Sequence, residues 1–327
     1  MTHFAVIDLG SNSVRMSVWS VKDDGQPVAE SKVKEMVRLS EDMGAEMTLK
    51  EPAISRTIDA LLRFKDTYSK LDDLTIKAYA TAATRQAKNQ KKFLKRVRDE
   101  VGLQIEVIPG VREAELDYVG VINTLNVQSG LIMDTGGAST ELVLIQNRQM
   151  EHRISIPFGS VNLTEHFVQH DPITPGDLFR LWSSVSNVFN GIWWLREAQN
   201  LPIIALGGSN RTLAKIQRRK HHFRNFEDIH GFRMLSRNVN SVFAEVVDAD
   251  VEARRAMPGL ARDRADIIVA GLVPVVTMLR FIDADKIIFS QNGLREGALY
   301  EYLQGKQQAA APDEVADETL SDFTADE

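Results

Sequence analysis

The stretch Leu131–Ile145, LIMDTGGASTELVLI, places a polar turn between two apolar runs. The runs Leu131–Met133 and Leu142–Ile145 predict two short strands, and the glycines between them predict a tight turn. Such a turn needs only one or two special residues, yet this one also carries an aspartate, hydroxyl side chains and a glutamate. These additional polar groups make the turn a candidate functional site.

The same pattern occurs 126 residues earlier in the chain. The segment IDLGSNSVRMSVW (7–19) aligns without a gap with MDTGGASTELVLI (133–145). The matched pairs are Asp8 with Asp134, Gly10 with Gly136, and Ser13 with Ser139. Because a period of this length is too long for a solenoid, it predicts two related domains, 1–125 and 126–304, that face each other across a cleft.

Strand and helix patterns alternate along the chain, which predicts the α/β class. Besides the two hairpins, the patterns predict a third strand at Lys32–Leu39, a long helix at Pro175–Leu195 and a last helix at Gly293–Leu303. The most apolar later stretch, Ile267–Leu279, is too short to span a bilayer and predicts a buried helix. We therefore expect no membrane partner.

The chain has 327 residues, 39 Lys plus Arg, 45 Asp plus Glu and no cysteine. Disulfides, thiolate metal sites and a cysteine nucleophile are excluded, and residues 1–13 lack a signal-peptide pattern, so a cytoplasmic location is expected. Residues 307–327 contain seven acids and no base, which predicts an acidic disordered tail. Without this tail the net charge is close to zero, so an anionic partner must be held by a local cluster of cations.

Both glycine turns have the composition of a phosphate site. Backbone amides in a tight glycine turn point outward together and attract anions, and hydroxyl groups add further donors. The carboxylates of Asp8 and Asp134 repel phosphate, but they can hold a hard cation such as Mg²⁺ that bridges to phosphate oxygens. Asp-x-Gly is also ordinary turn chemistry, and its repetition favours the functional interpretation.

Two further segments place polar side chains just after a strand, at a predicted helix N-terminus that favours anions: ATAATRQAKN (80–89) and ALGGSNRTLAK (205–215). Glu113 lies in the first turn of another predicted helix, where it is either a favourable terminal charge or a general base that activates water. The basic stretch Lys215–Arg224 is either a solvated helix face or a track for a long polyanion. No P-loop, dinucleotide, nucleophile-elbow, zinc-protease or DNA-reading motif is present, so we expect no nucleic-acid partner.

Seven segments, in order and over about residues 4–304, resemble the exopolyphosphatase and guanosine pentaphosphate phosphohydrolase (Ppx/GppA) family. They are AVIDLGSNSVRM, YATAATRQAKN, EVIPGVREAELDYVGV, LIMDTGGASTELVLI, SIPFGSVNLTE, IIALGGSNRTLAK and IFSQNGLREGALYEYL. The resemblance implies two ribonuclease-H-like domains of the actin-like superfamily around a central cleft, with the last helix (293–304) packed on the first domain. It also implies Mg²⁺-dependent release of terminal phosphate from inorganic polyphosphate.

The resemblance further implies roles for single residues. Glu113 matches the water-activating glutamate, and Glu141 matches a second catalytic acid. Asp134 and Gly136 match the metal-binding position, with Asp8 assisting. The residues that match phosphate-facing positions are Asn12, Ser13, Arg85, Gly137, Ser139, Gly208 and Asn210.

Three positions depart from the family pattern. Ala138 stands where a third glycine is usual, and Glu115 and Asn162 replace usual arginines. Alanine does not tolerate every positive-φ conformation, so we expect a slightly different turn at Ala138. The lost arginines leave the preferred length of the substrate open.

Three alternative functions also remain open. Guanosine penta- or tetraphosphate is one alternative substrate, since nothing in the turns distinguishes it from a polyphosphate end. ALGGSNRTLAK resembles the adenosine-binding segment of actin-like kinases, so phosphate transfer from ATP is a second. A non-catalytic polyphosphate- or alarmone-binding regulator is the third, and the retained acids Glu113, Asp134 and Glu141 argue against it. The family implies a homodimer.

Overall fold

The computed structural model describes residues 2–22 and 25–310. Five strands form the amino-terminal sheet: β1 (Thr2–Leu9), β2 (Ser13–Val21), β3 (Pro27–Met36), β4 (Leu74–Ala80) and β5 (Glu106–Val107). Their order is β3-β2-β1-β4-β5, in which β1, β2 and β3 are antiparallel and β4 and β5 run parallel to β1. This is the strand order of a ribonuclease-H-like domain.

The helices of this half are α1 (Glu51–Tyr68), α2 (Ala82–Gln86), α3 (Gln90–Val101) and α4 (Gly110–Ile122). α1 and α3 cover one face of the sheet, where Ile58 and Phe93 pack in one core with Ile7 and Met16. α3 ends at Gly102, whose φ of 76° gives the left-handed conformation that commonly terminates helices.

The second sheet has six strands: β6 (Gly130–Thr135), β7 (Thr140–Gln146), β8 (Gln149–Ile156), β9 (Ile203–Gly207), β10 (Arg233–Leu235) and β11 (Lys286–Phe289). Their order is β10-β11-β9-β6-β7-β8. The hairpin β6–β7 corresponds to the hairpin β1–β2, with Asp134 opposite Glu141 as Asp8 is opposite Arg15. The predicted α/β class with two repeated ribonuclease-H-like units is therefore confirmed.

Six helices surround the second sheet: α5 (Ser160–Phe167), α6 (Pro175–Asn190), α7 (Gly208–Lys220), α8 (Ser236–Asp248), α9 (Val251–Ala256) and α10 (Ile268–Phe281). Most residues of α10 are buried, which confirms the buried helix predicted near Ile267–Leu279. Within 2–22 and 25–310, no helix is both long and apolar enough to cross a membrane.

The last helix, α11 (Leu294–Ala310), packs beside α4 between the two sheets. Its residue Leu299 shares a core with Phe4 of β1, while Val121 of α4 packs against Ile204 of the second sheet. The chain crosses between the sheets twice, once at α4 and once just before α11. The two crossings touch, because a Cβ at Gly120 of α4 would lie 3.0 Å from Cα of Gly293. The predicted domain boundary near residue 125 stays a prediction.

Several element boundaries differ from the sequence predictions. The third strand is β3 rather than Lys32–Leu39, because the chain turns at Arg38, which has a φ of 46°. The long helix ends at Asn190, and a 3₁₀ turn, Trp193–Ala198, follows Gly191. α11 extends through residues 307–310, where the acidic tail was predicted to begin, and residues 311–327 lie outside the described residues.

Candidate active site

The two hairpin turns have the same backbone hydrogen bond and touch each other. The Gly10 amide donates to the carbonyl of Ser13 at 3.2 Å, and the Gly136 amide donates to the carbonyl of Ser139 at 2.9 Å. A Cβ at Gly137 would lie 2.9 Å from Cβ of Ser11, so only glycine fits between the turns. The repeat thus places both turns at one cleft.

Ala138 does not distort the second turn. Neither Ala138 nor the glycines Gly136 and Gly137 have a positive φ, so alanine adopts this conformation without strain. The start of α5 holds the turn in place, since the Ser160 and Val161 amides donate to the carbonyls of Gly136 and Gly137 at 2.9 and 2.8 Å.

Four carboxylates line the cleft: Asp8, Glu113, Asp134 and Glu141. Glu141 is almost fully buried and accepts a hydrogen bond from Ser155 Oγ at 2.7 Å. Burial, and then the charge of Asp134, raises the pKa of Glu141 to about 8. Such a cluster of acids needs nearby cations to remain ionised.

Glu113, in the first turn of α4, has one such cation in Arg85. The Nη1 atom of Arg85 lies 3.3 Å from Oε2 of Glu113 and 2.9 Å from the Ile108 carbonyl, to which it donates. Burial, followed by the charge of Glu141, raises the pKa of Glu113 well above its usual value, and Arg85 opposes this shift. Glu113 therefore has the raised pKa expected of a general base.

Asp134 lies against the end of β9. Gly207 has a φ of 89°, and a Cβ there would lie 2.8 Å from Oδ1 of Asp134. Burial raises the pKa of Asp134, while Arg211 and Arg15 lower it. Glycine at 207 thus permits both the left-handed backbone and the close approach of the carboxylate.

Three arginines, Arg15, Arg211 and Arg264, add positive charge at or beside the cleft, and the sequence analysis did not assign them to the site. Within the described part of the chain, none of their side chains forms a hydrogen bond or an ion pair within 4 Å. Burial, and then the charge of Arg15, lowers the pKa of Arg211 to about 9 and that of Arg264 to about 10. Crowded, buried cations of this kind require anionic partners.

Most of the predicted site residues line this cleft: Asp8, Asn12, Ser13, Glu113, Asp134, Gly136, Gly137, Ser139, Glu141 and Gly208. Arg85 instead lies behind Glu113, where it supports the carboxylate. Asn210 is fully buried, and its Nδ2 donates to the Leu206 carbonyl at 2.6 Å, so it stabilises the turn after β9 rather than lining the cleft.

For two of the three cleft arginines, the sequence contained a pattern that could have assigned them to the site. Arg15 is two residues after Ser13 on β2, so both side chains point to the same face of the sheet. Arg211 lies within the quoted ALGGSNRTLAK segment. Arg264 lies in a short 3₁₀ turn, Arg262–Arg264, and no local pattern distinguishes it from its neighbours.

Asn162 and Glu115, at the two positions where arginine is usual, do not line the cleft, although Asn162 Nδ2 donates to the Ala138 carbonyl of the second turn at 3.5 Å. The side chain of Asn162 accepts a hydrogen bond from the Gly159 amide at 2.7 Å and caps α5. Glu115 pairs with Arg153 at 2.8 Å and with Arg112 at 3.3 Å. Both side chains have structural partners here.

A magnesium ion held by Asp8 and Asp134 stays a prediction; both carboxylates line the cleft, and the charge of Asp8 adds to the effect of burial in raising the pKa of Asp134. Across 2–22 and 25–310, no three His, Asp or Glu side chains are grouped closely enough to hold a metal by themselves. The carbonyl of Gly136 already accepts two hydrogen bonds, from the Ser160 amide at 2.9 Å and from its hydroxyl at 3.1 Å. Two carboxylates suffice because Mg²⁺ usually keeps waters and binds phosphate oxygens, and Gly136 as a ligand stays a prediction.

Fold and cleft together define a protein with two ribonuclease-H-like units and a polar cleft in which glycine turns, carboxylates and arginines converge. The model of the Ppx/GppA phosphatase family matches residues 18–306, and the chain belongs to this family.

Curated relatives and solved structures agree with this assignment. The chain is 30% identical to a bifunctional 3-dehydroquinate synthase/phosphatase of Fusobacterium nucleatum, over 92% of this chain and 47% of that protein. It is 27% identical to a guanosine-5′-triphosphate,3′-diphosphate pyrophosphatase of Photobacterium profundum, over 92% of this chain and 59% of that protein. The chain thus spans about half to three fifths of the length of these relatives.

Two solved structures match almost the whole chain. The Aquifex aeolicus member of the Ppx/GppA family is 29% identical, with a TM-score of 0.77, over 95% of this chain and 99% of that chain. An exopolyphosphatase from Cytophaga hutchinsonii is 25% identical, with a TM-score of 0.86, over 93% of this chain and 98% of that chain.

Proposed function

We propose that this protein is an exopolyphosphatase that hydrolyses the terminal phosphate of inorganic polyphosphate with a divalent cation such as Mg²⁺. The observation that carries the proposal is the meeting of three unpaired arginines with four carboxylates around two glycine turns. The arginines and turn amides suit a polyanion, and the carboxylates suit a metal and a water molecule. A cytoplasmic homodimer is part of the same proposal.

In the proposed reaction, the turn amides, Ser13 and Ser139 bind the terminal phosphate, and Arg15 and Arg264 neutralise the charge of the chain behind it. Glu113 accepts a proton from water, whose oxygen attacks the terminal phosphorus in line with the bond that breaks. The electron pair of that bond leaves with the shortened polyphosphate, which Arg264 stabilises. Mg²⁺ held by Asp8 and Asp134 would supply further neutralisation of phosphate charge.

The ion pair with Arg85 distinguishes Glu113 from Glu141. Arg85, 3.3 Å from Glu113, favours the ionised form that a base requires, against the burial and the charge of Glu141 that raise the pKa of Glu113. Glu141 accepts a hydrogen bond from Ser155 Oγ, and burial with the charge of Asp134 raises its pKa to about 8, so in the proposed reaction it is the protonated acid that donates to a phosphate oxygen. We infer that these two glutamates act as base and hydrogen-bond donor, respectively.

Guanosine pentaphosphate is a second candidate substrate, and the curated pyrophosphatase relatives favour it. A side-by-side assay of phosphate release from long polyphosphate, short polyphosphate and guanosine pentaphosphate, with and without Mg²⁺, tests both. The highest kcat/KM on long polyphosphate supports the exopolyphosphatase. A higher kcat/KM on the nucleotide overturns it in favour of the second candidate, and no release from any of the three refutes both.

A further inference from the structure

A second cavity, which we call the basic chamber, opens beside the cleft and shares Arg15 and Arg264 with it. Seven Lys and Arg side chains line the chamber, among them Lys34 and Lys215, against a single acid, Glu227. Its volume of about 550 Å³ is that of a ligand pocket. The chamber is therefore large enough for several anionic groups.

The positive charge of the basic chamber is poorly compensated. Lys215 pairs with Glu227 at 3.0 Å, but Lys34 lies 4.0 Å from its nearest acid, Asp263. Burial, and then the charges of Arg264 and Arg15, lowers the pKa of Lys34 to about 8. The three unpaired arginines described above also face this space or border it.

The chain itself carries a segment of matching charge, residues 311–327. Its seven acids and no bases include Asp317, Glu318 and Asp322, and its apolar residues Leu320 and Phe323 match the apolar wall formed by Phe226 and Leu260.

The segment is also long enough to reach the chamber. α11 starts next to Arg295 in the chamber wall and ends at Ala310, about 22 Å away at 1.5 Å per residue. The seventeen residues that follow span up to about 56 Å when extended. The chain can therefore return along α11 and place its last ten or so residues in the chamber.

We infer that the acidic segment 311–327 docks in the basic chamber of its own chain and competes there with the anionic ligand of the cleft. The docking follows from the opposite charges of the chamber and the segment and from the length of the segment. The competition with polyphosphate rests on the proposed function.

The docking is tested with a fluorescently labelled synthetic peptide of residues 311–327 and a full-length chain whose seven segment acids are changed to Asn or Gln. We expect the peptide to bind this chain at about 50 mM salt, to lose affinity steeply as salt rises, and to be displaced by inorganic triphosphate. Lys34→Gln with Lys215→Gln should weaken binding about tenfold. Lys91→Gln with Lys92→Gln, the same charge change on the exposed face of α3, should leave it unchanged.

Kinetics on the full-length chains test the competition. Neutralising the segment should lower KM for polyphosphate several-fold without changing kcat, because the competitor no longer occupies the chamber. Absence of peptide binding at low salt, or equal effects of the two lysine pairs, would overturn the docking. The peptide could bind although neither the wild-type chain nor the chain with the neutralised segment releases phosphate. In that case the proposed function fails and the docking stands.

Discussion

Glu113, the proposed base, shares its cleft with three other carboxylates. Glu113→Gln keeps the size of the side chain but removes the base. We expect kcat for phosphate release to fall about 10²- to 10⁴-fold, with polyphosphate binding retained. The matched control is Glu115→Gln on the same helix, whose side chain pairs with Arg112 and Arg153 and does not line the cleft, so near-normal turnover is expected. Near-wild-type turnover of Glu113→Gln would show that another group is the base.

Arg85 lies 3.3 Å from Glu113, so we expect it to affect the proposed reaction through the protonation of that carboxyl. The charge of Arg85 lowers the pKa of Glu113, so Arg85→Gln should raise that pKa. Glu113 should then ionise only at higher pH. We expect the acidic limb of the kcat/KM profile to move up by about one pH unit. Arg112→Gln, which removes a charge that pairs with Glu115, should not move the limb. An unmoved limb in Arg85→Gln would contradict the positioning role of this arginine.

The contact between the two hairpin turns is the element on which the cleft depends. A Cβ added by Gly137→Ala would meet Ser11 at 2.9 Å, so the turns must separate by a few tenths of an ångström. We expect kcat/KM to fall about tenfold, because small misplacement of reacting groups is costly. Ala138→Gly, one residue later and without a positive φ, should keep its activity. Equal activities in the two variants would argue against the contact as a determinant of catalysis.

The packing of α11 on α4 also depends on glycine. A Cβ at Gly297 would overlap the backbone carbonyl of Leu116, whereas Gly305, on the same helix, has open space around it. Gly297→Ala should lower the free energy of unfolding by about 1–3 kcal/mol, measured by urea denaturation. Gly305→Ala should raise it by about 0.5–1 kcal/mol through helix propensity. Stabilisation by both alanines would mean that the helices do not pack as described.

Local patterns predicted the elements that have strong local causes. α10 lies close to the predicted Ile267–Leu279, because a long apolar run is buried as a helix. Both hairpins were predicted from apolar runs on either side of an Asp-x-Gly turn. β10 was missed because three residues carry too little pattern, and the end of β3 was misplaced because Arg38 turns the chain for tertiary reasons: its amide and that of Val37 both donate to the Asn12 carbonyl.

For the molecule as a whole, we expect the buried arginines of the cleft to lower the stability of the ligand-free protein. Arg211 is buried near Arg15, and its lowered pKa shows that the fold disfavours its charge. Arg211→Gln should therefore raise the Tm of the ligand-free protein. Inorganic triphosphate at about 100 times its Kd should stabilise the wild type by about 2.7 kcal/mol, and the same concentration should stabilise the variant by only about 1.4 kcal/mol if its affinity falls tenfold.

The control for this comparison is Arg237→Gln, an exposed arginine on α8. It should change neither the ligand-free Tm nor the stabilisation by triphosphate, as read from thermal scans. A lower Tm for ligand-free Arg211→Gln would mean that its attraction to Asp134 outweighs the repulsion.

The site was predictable where the sequence repeats itself and unpredictable where the fold alone brings residues together. The duplicated turns identified Asp8, Asp134, Ser13 and Ser139 from the sequence alone. The positive side of the cleft was missed because single arginines such as Arg264 look like ordinary surface charges in a sequence. At the paired positions opposite the aspartates, the two hairpins carry Arg15 and Glu141, so one duplicated scaffold supplies charges of both signs.

The neighbouring glycines Gly120 and Gly293 mark where the chain crosses between the sheets in both directions. A Cβ at Gly120 would lie 2.3 Å from the carbonyl oxygen of Gly293, so this crossing leaves no room for a larger residue. Two segments far apart in the sequence are thus packed backbone to backbone at the point where the chain joins its two halves.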